Sequence, residues 1–278
     1  MSFTIVKASG KEEKFKIEKL VDSLIRSGAP EDVAWHIAKE VEKKITPALH
    51  TKHIYRIAKK LLKKHARTSD MRYSIKKAIY ALGPAGYQFE KYFAGILNAN
   101  GYDAETNRFM KGHCVSHEVD IFAMKDKNGC VIECKYHSSS GNPTDVKTAL
   151  YIHSRFEDIK KAYRLQSGNN LHINEGWLVT NTRCTSDAIE YARCVGLKIV
   201  SWKYPKTNSL EKMIEDKRLY PVTILSSIRK HAVEILFRNG IIFASDIAKM
   251  TESDFLKKSS LDTNSARALK READALCN

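Results

Sequence analysis

Residues 117–137, HEVDIFAMKDKNGCVIECKYH, constrain the fold of this chain more than any other stretch. Two apolar–polar alternating runs, 117–124 and 130–137, are separated by a polar turn that ends in Asn128-Gly129. Asn-Gly between two such runs is a strong signal for a tight turn between antiparallel strands. The pattern therefore predicts a β-hairpin.

This hairpin carries charged side chains among residues that are otherwise apolar. Because successive side chains of a strand point to opposite faces, Glu133 shares a face with Lys135 and Val131, and Asp120 shares a face with Glu118. The opposite faces carry Ile132, Cys134 and Tyr136 on the second strand and Val119, Ile121 and Ala123 on the first. Buried carboxylates need a cation or hydrogen-bond partners, so a ligand is expected where the acids meet.

The residue types on the hairpin suit one kind of chemistry. Asp120 and Glu133 offer hard oxygen ligands for Mg²⁺, which accepts one or two carboxylates together with waters and phosphate oxygens. Lys135, two residues after Glu133, is placed to hold or deprotonate a water, or to stabilise charge on a phosphate. These are the parts needed for phosphodiester hydrolysis. An ordinary surface hairpin with solvated charges is the alternative.

The order Asp…Glu-x-Lys, present here as EVD and ECK, resembles the PD-(D/E)xK nuclease superfamily and most closely its Mrr-like restriction endonuclease branch. Val119 stands where the superfamily name has proline. The resemblance implies a restriction-endonuclease-like α/β core with a mixed sheet, DNA as substrate and Mg²⁺ or Mn²⁺ as cofactor. It also implies that Glu90, on the helix before the strands, completes a metal cluster with Asp120 and Glu133, while Lys135 assists catalysis. A surface position for Glu90 is the alternative.

Composition limits the partners of the chain. The 278 residues leave room for two or three domains, and the net charge of +15 favours a polyanion such as nucleic acid. Residues 1–88 hold 19 Lys/Arg and 9 Asp/Glu, so most of the excess lies upstream of the hairpin. Six cysteines without CxxC spacing make a structural zinc site improbable. Without a signal peptide or a long apolar run, we expect a cytoplasmic protein with reduced cysteines and no membrane contact.

The first segment is predicted to be a small domain, residues 1–84. It combines a hairpin that turns at Ser9-Gly10 with helices at 19–27, 31–44, 51–66 and 71–82. The order of Val-Lys-x-x-Gly, Glu-x-Phe and this run of helices is similar to the ATP-cone domain, a nucleotide-binding regulatory module. The resemblance implies ATP or dATP as ligand and contacts from Val6, Lys7, Glu13, Lys19 and Thr51. A solvated lysine face, or direct binding to DNA phosphates, would use the same charges.

Residues 85–205 are predicted to form the nuclease domain. Helices are expected at 87–98, 145–162 and 186–195, and further strands at 175–181 and 197–202. The polar loop 138–143 follows the Glu-x-Lys strand, where its hydroxyls and amides are candidate phosphate contacts. The remaining residues, 206–278, are predicted to be a helical tail that looks like helix-hairpin-helix or SAM-like folds. The tail lacks the second glycine of a DNA-binding hairpin, since Ile242 stands there, so DNA and protein partners stay equally open.

Together these patterns favour a metal-dependent DNA endonuclease in which nucleotide binding gates activity or assembly. We expect a homo-oligomer, a dimer or higher, with restriction, phage defence and repair all open as roles. The alternative is a non-catalytic, nucleotide-responsive regulator that binds nucleic acid. A regulator of ribonucleotide reductase is a third hypothesis, which the chain supports poorly because it contains no reductase domain.

Overall fold

The first part of the chain folds around its own small sheet. The structure, a computed structural model, describes residues 3–8, 10–65, 67–83, 86–165 and 172–277. The elements are β1 (Thr4–Val6), β2 (Glu12–Lys14), α1 (Ile17–Arg26), α2 (Glu31–Glu42), β3 (Leu49–His50), α3 (Thr51–His65), α4 (Arg67–Tyr73) and α5 (Ile75–Tyr80). The strands lie in the order β2-β1-β3, with β1 antiparallel to β2 and parallel to β3. Ser9, at the predicted turn, lies outside the described residues. We call the described residues 3–83 the N-terminal module.

One predicted helix of this module is divided in two. The sequence pattern predicts one helix over 71–82, but α4 ends at Tyr73 and α5 begins at Ile75. At the break, the Ser74 hydroxyl donates to the Asp70 carbonyl oxygen at 2.9 Å and accepts from Lys59 at 2.5 Å. Serine that bonds back to the preceding turn competes with helix continuation. Residues on both sides of the break, Met71 of α4 and Ile75 and Ile79 of α5, pack in the core of the next domain.

The second part of the chain is an α/β domain with a mixed five-stranded sheet. Its elements are α6 (Tyr87–Ala99), β4 (Asp103–Lys111), β5 (Ser116–Lys125), β6 (Asn128–Lys135), α7 (Val146–Leu165), β7 (His172–Thr180), α8 (Ser186–Val195) and β8 (Lys198–Val200). The strand order is β4-β5-β6-β7-β8, antiparallel from β4 to β6 and parallel from β6 to β8. This arrangement confirms the mixed α/β architecture.

The hairpin turn lies two residues before the Asn128-Gly129 pair. Lys125 pairs with Asn128, so the two loop residues are Asp126 and Lys127, and both have positive φ (49° and 66°). Two positive φ values are typical of the type I′ turn, whose twist matches that of the flanking strands. Asn128 and Gly129 belong to β6. The prediction of a hairpin is confirmed, but the assignment of Asn128-Gly129 to its turn is wrong.

Helices cover both faces of the sheet, and the tail extends one of the two cores. Phe89 and Phe93 of α6 pack on the face that carries Ile121 and Ile132, whereas α7 packs on the other face. The tail contains α9 (Leu210–Asp216), a 3-10 helix (Val222–Ile224), α10 (Lys230–Arg238), α11 (Ala244–Lys249), α12 (Glu252–Ser259) and α13 (Thr263–Cys277). The buried residues of these helices pack in the same core as Phe89 and Phe93 of α6. The prediction of a helical C-terminal part is confirmed. Within the described residues, no helix has both the length and the apolar character needed to cross a bilayer.

Candidate active site

Asp120 and Glu133 face each other where two central strands separate. Ile121 pairs with Ile132 in the β5–β6 ladder, and continuing this register by one step sets Asp120 opposite Glu133. The two carboxyl groups are close enough for the charge of Asp120 to contribute to the raised pKa of Glu133. Beyond this point the Cys134 backbone N–H donates to Asp120 Oδ2 at 2.7 Å, so a side chain occupies the place of a ladder partner. The structure therefore brings the two predicted acids together.

The acids share a poorly solvated environment. Burial raises the pKa of Glu133 to about 8, with a further contribution from the charge of Asp120. Burial also raises the pKa of Asp120 above its usual range. Glu90, on the first turn of α6, has its pKa raised to about 7 by burial and by the charges of Asp120 and Glu118. Neighbouring carboxylates that raise one another's pKa indicate a site that favours a bound cation.

Arg155 of α7 is a site residue that the sequence analysis missed. Its Nη1 lies 2.8 Å from Glu133 Oε2, and both side chains are largely buried. Its Nη2 donates to the Glu118 carbonyl oxygen. The signal was an arginine on the buried stripe of α7, between Ile152 and Phe156. Arg155 fixes one oxygen of Glu133 and leaves Oε1, which is buried and has no hydrogen-bond partner among the described residues.

Lys135 is the last residue of β6 and is exposed. Among the residues that the structure describes, none accepts a hydrogen bond from its ammonium group, so the group is available to a ligand. Its charge, together with burial, lowers the pKa of His137. The His137 backbone N–H donates to Asn181 Oδ1 at 2.9 Å, which ties the chain after β6 to the end of β7. Lys135 therefore emerges from an anchored strand end.

Glu90 lies beside the end of β6, whereas His117 of β5 is paired with a residue of α7. A Cβ added to Gly86 would lie 3.3 Å from Glu90 Oε1 and 4.0 Å from the Tyr136 Cβ, so Glu90 folds over the start of α6 beside the end of β6. His117 Nε2 lies 2.7 Å from Asp158 Oδ2 and serves to hold β5 on α7. In the described part of the chain, no three His, Cys, Asp or Glu side chains are grouped as a metal site. The role of Glu90 as a ligand stays a prediction.

The residues predicted to bind nucleotide line a separate cavity. Lys7, Glu13, Lys19 and Thr51 all line a cavity of about 800 Å³, and Val6 lies on β1 between two lining residues. Glu13 forms ion pairs with both Lys7 and Lys19, and these hydrogen bonds lower the pKa of Glu13 to about 2. The two lysines therefore share one carboxylate. Their contacts with a nucleotide stay a prediction.

Comparisons with known proteins cover the α/β domain and the tail. A family model described as a restriction endonuclease matches residues 84–206, and another, described as AF1548-like, C-terminal, matches residues 220–277. Both matches begin after the N-terminal module, so its similarity to the ATP cone stays a prediction. The same holds for the helix-hairpin-helix or SAM-like character of the tail.

One relative and one solved structure match most of their own length. An uncharacterized protein of Archaeoglobus fulgidus is 34% identical over 180 residues, which make up 65% of this chain and 97% of the relative. The crystal structure of a protein of unknown function, AF1548, is 34% identical with a TM-score of 0.59, covering 68% of this chain and 97% of the other. Identity over nearly the whole relative, with a matching fold, shows that this chain belongs to the AF1548-like family and carries a restriction endonuclease domain at residues 84–206.

Proposed function

We propose that the chain is a metal-dependent DNA endonuclease with its active site at Asp120, Glu133 and Lys135. The observation that carries this proposal is the placement of Asp120 opposite Glu133, whose buried Oε1 has no hydrogen-bond partner in the described part of the chain. A buried carboxylate oxygen without a donor is costly, and a cation removes that cost. The match of residues 84–206 to a restriction endonuclease model supports the same assignment.

The donor set fits Mg²⁺ or Mn²⁺. Glu133 Oε1 and the Asp120 carboxylate are hard ligands, and Mg²⁺ takes one or two carboxylates while waters and phosphate oxygens fill the remaining positions. Glu90, half-buried and electrostatically coupled to Asp120, is the candidate for holding a second ion. When bound, such an ion supplies Lewis-acid stabilisation of the charge on the phosphate.

The protein side chains supply orientation and charge. The backbone N–H of Cys134 fixes Asp120, and Arg155 fixes Glu133, so both carboxylates are held before substrate arrives. Lys135 holds the attacking water or balances negative charge that grows on the phosphate. The exposed hydroxyls of Ser138, Ser139 and Ser140 follow directly and offer hydrogen bonds to the DNA backbone.

Nucleotide binding to the N-terminal module forms a second part of the proposal. We infer that ATP or dATP binds at Val6, Lys7, Glu13, Lys19 and Thr51 and controls cleavage or assembly of a homo-oligomer. The support is the ATP-cone resemblance, together with the cavity that four of these residues line. Restriction, phage defence and repair are all compatible with such an enzyme.

A cleavage assay with matched variants tests the enzyme. Supercoiled and linear DNA are incubated with Mg²⁺ or Mn²⁺, with and without ATP or dATP. We expect wild type to cut and both Asp120→Asn and Lys135→Ala to lose at least 100-fold in rate, since metal and charge effects of this kind are worth roughly 10²–10³-fold each. The controls are Asp103→Asn and Lys147→Ala, exposed positions in the same domain. Cutting that survives both active-site variants removes the mechanism, and tight DNA binding without cutting favours the non-catalytic regulator.

A further inference from the structure

The cavity of about 800 Å³ lies between the N-terminal module and the nuclease domain. One wall is formed by the first hairpin, with Lys7 and Glu13, and by Thr51 of α3. The opposite wall includes Arg183, which follows β7, and Lys203, which follows β8. We call this cavity the inter-module cleft. Its ligand would therefore touch both domains.

A group of cations lies on the wall formed by the nuclease domain and by α5, and Lys14, Lys16 and Arg26 of the N-terminal module also line the cleft. Lys76 of α5 joins Arg183 and Lys203 on that wall, and burial together with the charges of Lys203 and Arg183 lowers the pKa of Lys76. Within the described residues, the one carboxylate in ion-pair range of these three cations is Glu211, 3.9 Å from Lys203. Three cations from three separate elements thus converge on a single weak counter-ion, an arrangement that favours a multiply charged anion.

The opposite wall is electrostatically different. Glu13 accepts ion pairs from both Lys7 and Lys19, so the charge of these lysines is already partly neutralised. Lys76, Arg183 and Lys203 lie close to one another and share no carboxylate of this kind within the described residues, so they offer an anion a cluster of charge that Lys7 and Lys19 do not. The phosphate groups of a ligand are therefore expected on Lys76, Arg183 and Lys203 rather than on Lys7 and Lys19.

Planar side chains complete the lining. Tyr55 and Tyr73 stack on each other with ring centroids 5.1 Å apart, and Trp202 lies beneath the Lys76 ammonium group at 5.4 Å. Aromatic faces suit a planar ring, and the cations suit phosphates. The volume falls within the range of about 300–1,000 Å³ usual for small-ligand sites, whereas a DNA duplex needs a much wider groove. A nucleotide fits these features better than a nucleic-acid duplex does.

A direct contact connects this cleft with the loop behind Lys135. Gly141 of that loop has φ +130°, and a Cβ added there would lie 3.3 Å from the carbonyl oxygen of Ala8, the residue after Lys7. Ser140, Gly141 and Asn142 also line the cleft. The hairpin of the N-terminal module therefore touches the loop that follows the catalytic strand.

We propose that a nucleoside triphosphate binds in the inter-module cleft with its phosphates on Lys76, Arg183 and Lys203, bridging the two domains and fixing loop 138–143. The bridging residues belong to the nuclease domain and to α5, outside the set that the ATP-cone resemblance implies. The effect on cleavage rests on the proposed nuclease function, whereas binding in the cleft does not.

Calorimetric titration of the full chain with ATP, without DNA, tests the site. We expect Arg183→Ala/Lys203→Ala to weaken ATP binding at least tenfold, since the substitutions remove two charge-assisted contacts to the phosphates. The control Arg193→Ala/Lys206→Ala removes the same charge from exposed positions outside the cleft and should change the dissociation constant less than twofold. Inorganic tripolyphosphate should compete with ATP in wild type. Equal affinities of the two double variants, or no binding of ATP or tripolyphosphate at millimolar concentration, would overturn the assignment.

Two further measurements test whether the cleft binds nucleic acid instead of ATP and whether bound ATP fixes the loop 138–143. A ten-nucleotide single strand that binds through Arg183 and Lys203 while ATP does not would assign the cleft to nucleic acid and refute the proposal. Hydrogen exchange of a peptide covering residues 138–142 should slow when ATP is added to wild type and stay unchanged in the Arg183→Ala/Lys203→Ala variant. Identical exchange with and without bound ATP would refute the bridging effect. Neither result depends on whether the chain cuts DNA.

Discussion

Replacing Arg155 by methionine should expose how strongly the fold depends on the ion pair with Glu133. The Nη1–Oε2 distance is 2.8 Å, and both side chains are at least 85% buried. At an effective dielectric of about 20, two unit charges at this distance attract by roughly 6 kcal/mol before desolvation is subtracted. Breaking a buried pair by removing one partner costs about 3–5 kcal/mol, because the other charge stays buried. We expect Arg155→Met to lose that amount of unfolding free energy at pH 9 without metal.

A double-mutant cycle isolates the pair. At pH 9 Glu133, whose pKa is raised to about 8, is ionised, so the charge interaction is fully present. Arg155→Met should cost about 1 kcal/mol when Glu133→Gln is already in place, since only the hydrogen bonds to a neutral amide and to the Glu118 carbonyl oxygen are lost. The coupling free energy is therefore expected near 2–4 kcal/mol and should shrink at pH 6, where Glu133 takes up a proton instead.

Urea unfolding followed by circular dichroism measures all four corners of this cycle. The matched control is Arg164→Met, an exposed arginine on the same helix, which should change the unfolding free energy by less than about 0.5 kcal/mol. A coupling below about 0.5 kcal/mol at pH 9 would show that Arg155 does not stabilise the Glu133 carboxylate. The account of Arg155 as the residue that positions Glu133 would then be wrong.

Three shorter predictions concern other contacts. Mg²⁺ at about 100 times its dissociation constant should stabilise wild type by roughly 2.7 kcal/mol and leave Asp120→Asn unchanged in thermal unfolding; equal shifts would contradict metal binding at Asp120. The pKa of Glu13 lies at about 2 instead of 4.5, so its ion pairs stabilise the fold fully above pH 4.5 and progressively less below. The difference in unfolding free energy between wild type and Glu13→Gln should therefore shrink from pH 6 to pH 3, and a constant difference contradicts this. Gly112→Ala should cost roughly 1–3 kcal/mol in urea unfolding, because its Cβ would lie 2.0 Å from Asp158 Oδ2; a loss under about 0.5 kcal/mol would contradict that clash.

Features with strong local chemistry could be predicted from the sequence. The helix at 186–195 has the predicted bounds because the Thr185 side chain caps its start, accepting from the Ala188 N–H at 3.2 Å, and Gly196 ends it with φ 75°. The encounter of Asp120 with Glu133 followed from one short turn that pairs the two strands. These signals act over a few residues and leave little freedom to tertiary packing.

Strand β4 could not be predicted, because its inward side chains are mostly not apolar. Met110 is its one large buried hydrophobic residue, and Arg108 covers the Phe122 ring with its guanidinium group at 4.4 Å. A search for alternating apolar residues counts an arginine as polar, even where its side chain covers an apolar ring. Arg155 escaped notice for a similar reason, since its partner Glu133 lies 22 positions earlier and only the packing of α7 on the sheet brings them together.

The alternation rule itself fails at Asp120, and this failure explains how the acid reaches its site. The rule predicts one face for Val119, Ile121 and Ala123, yet Val119 packs under α7 while Ile121 and Ala123 pack under α6, so that prediction is wrong. The β4–β5 ladder skips the pair formed by Asp120 and Asn107, and Asn107 has φ 58°. Both strands therefore change face at this step.

A regular strand would aim Asp120 at one helix layer only. The change of face instead leaves Asp120 between the layers, at the separated ends of β5 and β6, with the Cys134 N–H as its donor. From this position the charge of Asp120 acts on Glu133, which pairs with Arg155 of α7. It also acts on Glu90 of α6. The irregularity in β5 thus places the Asp120 carboxylate where its charge raises the pKa values of acids on both sides of the sheet, Glu133 and Glu90.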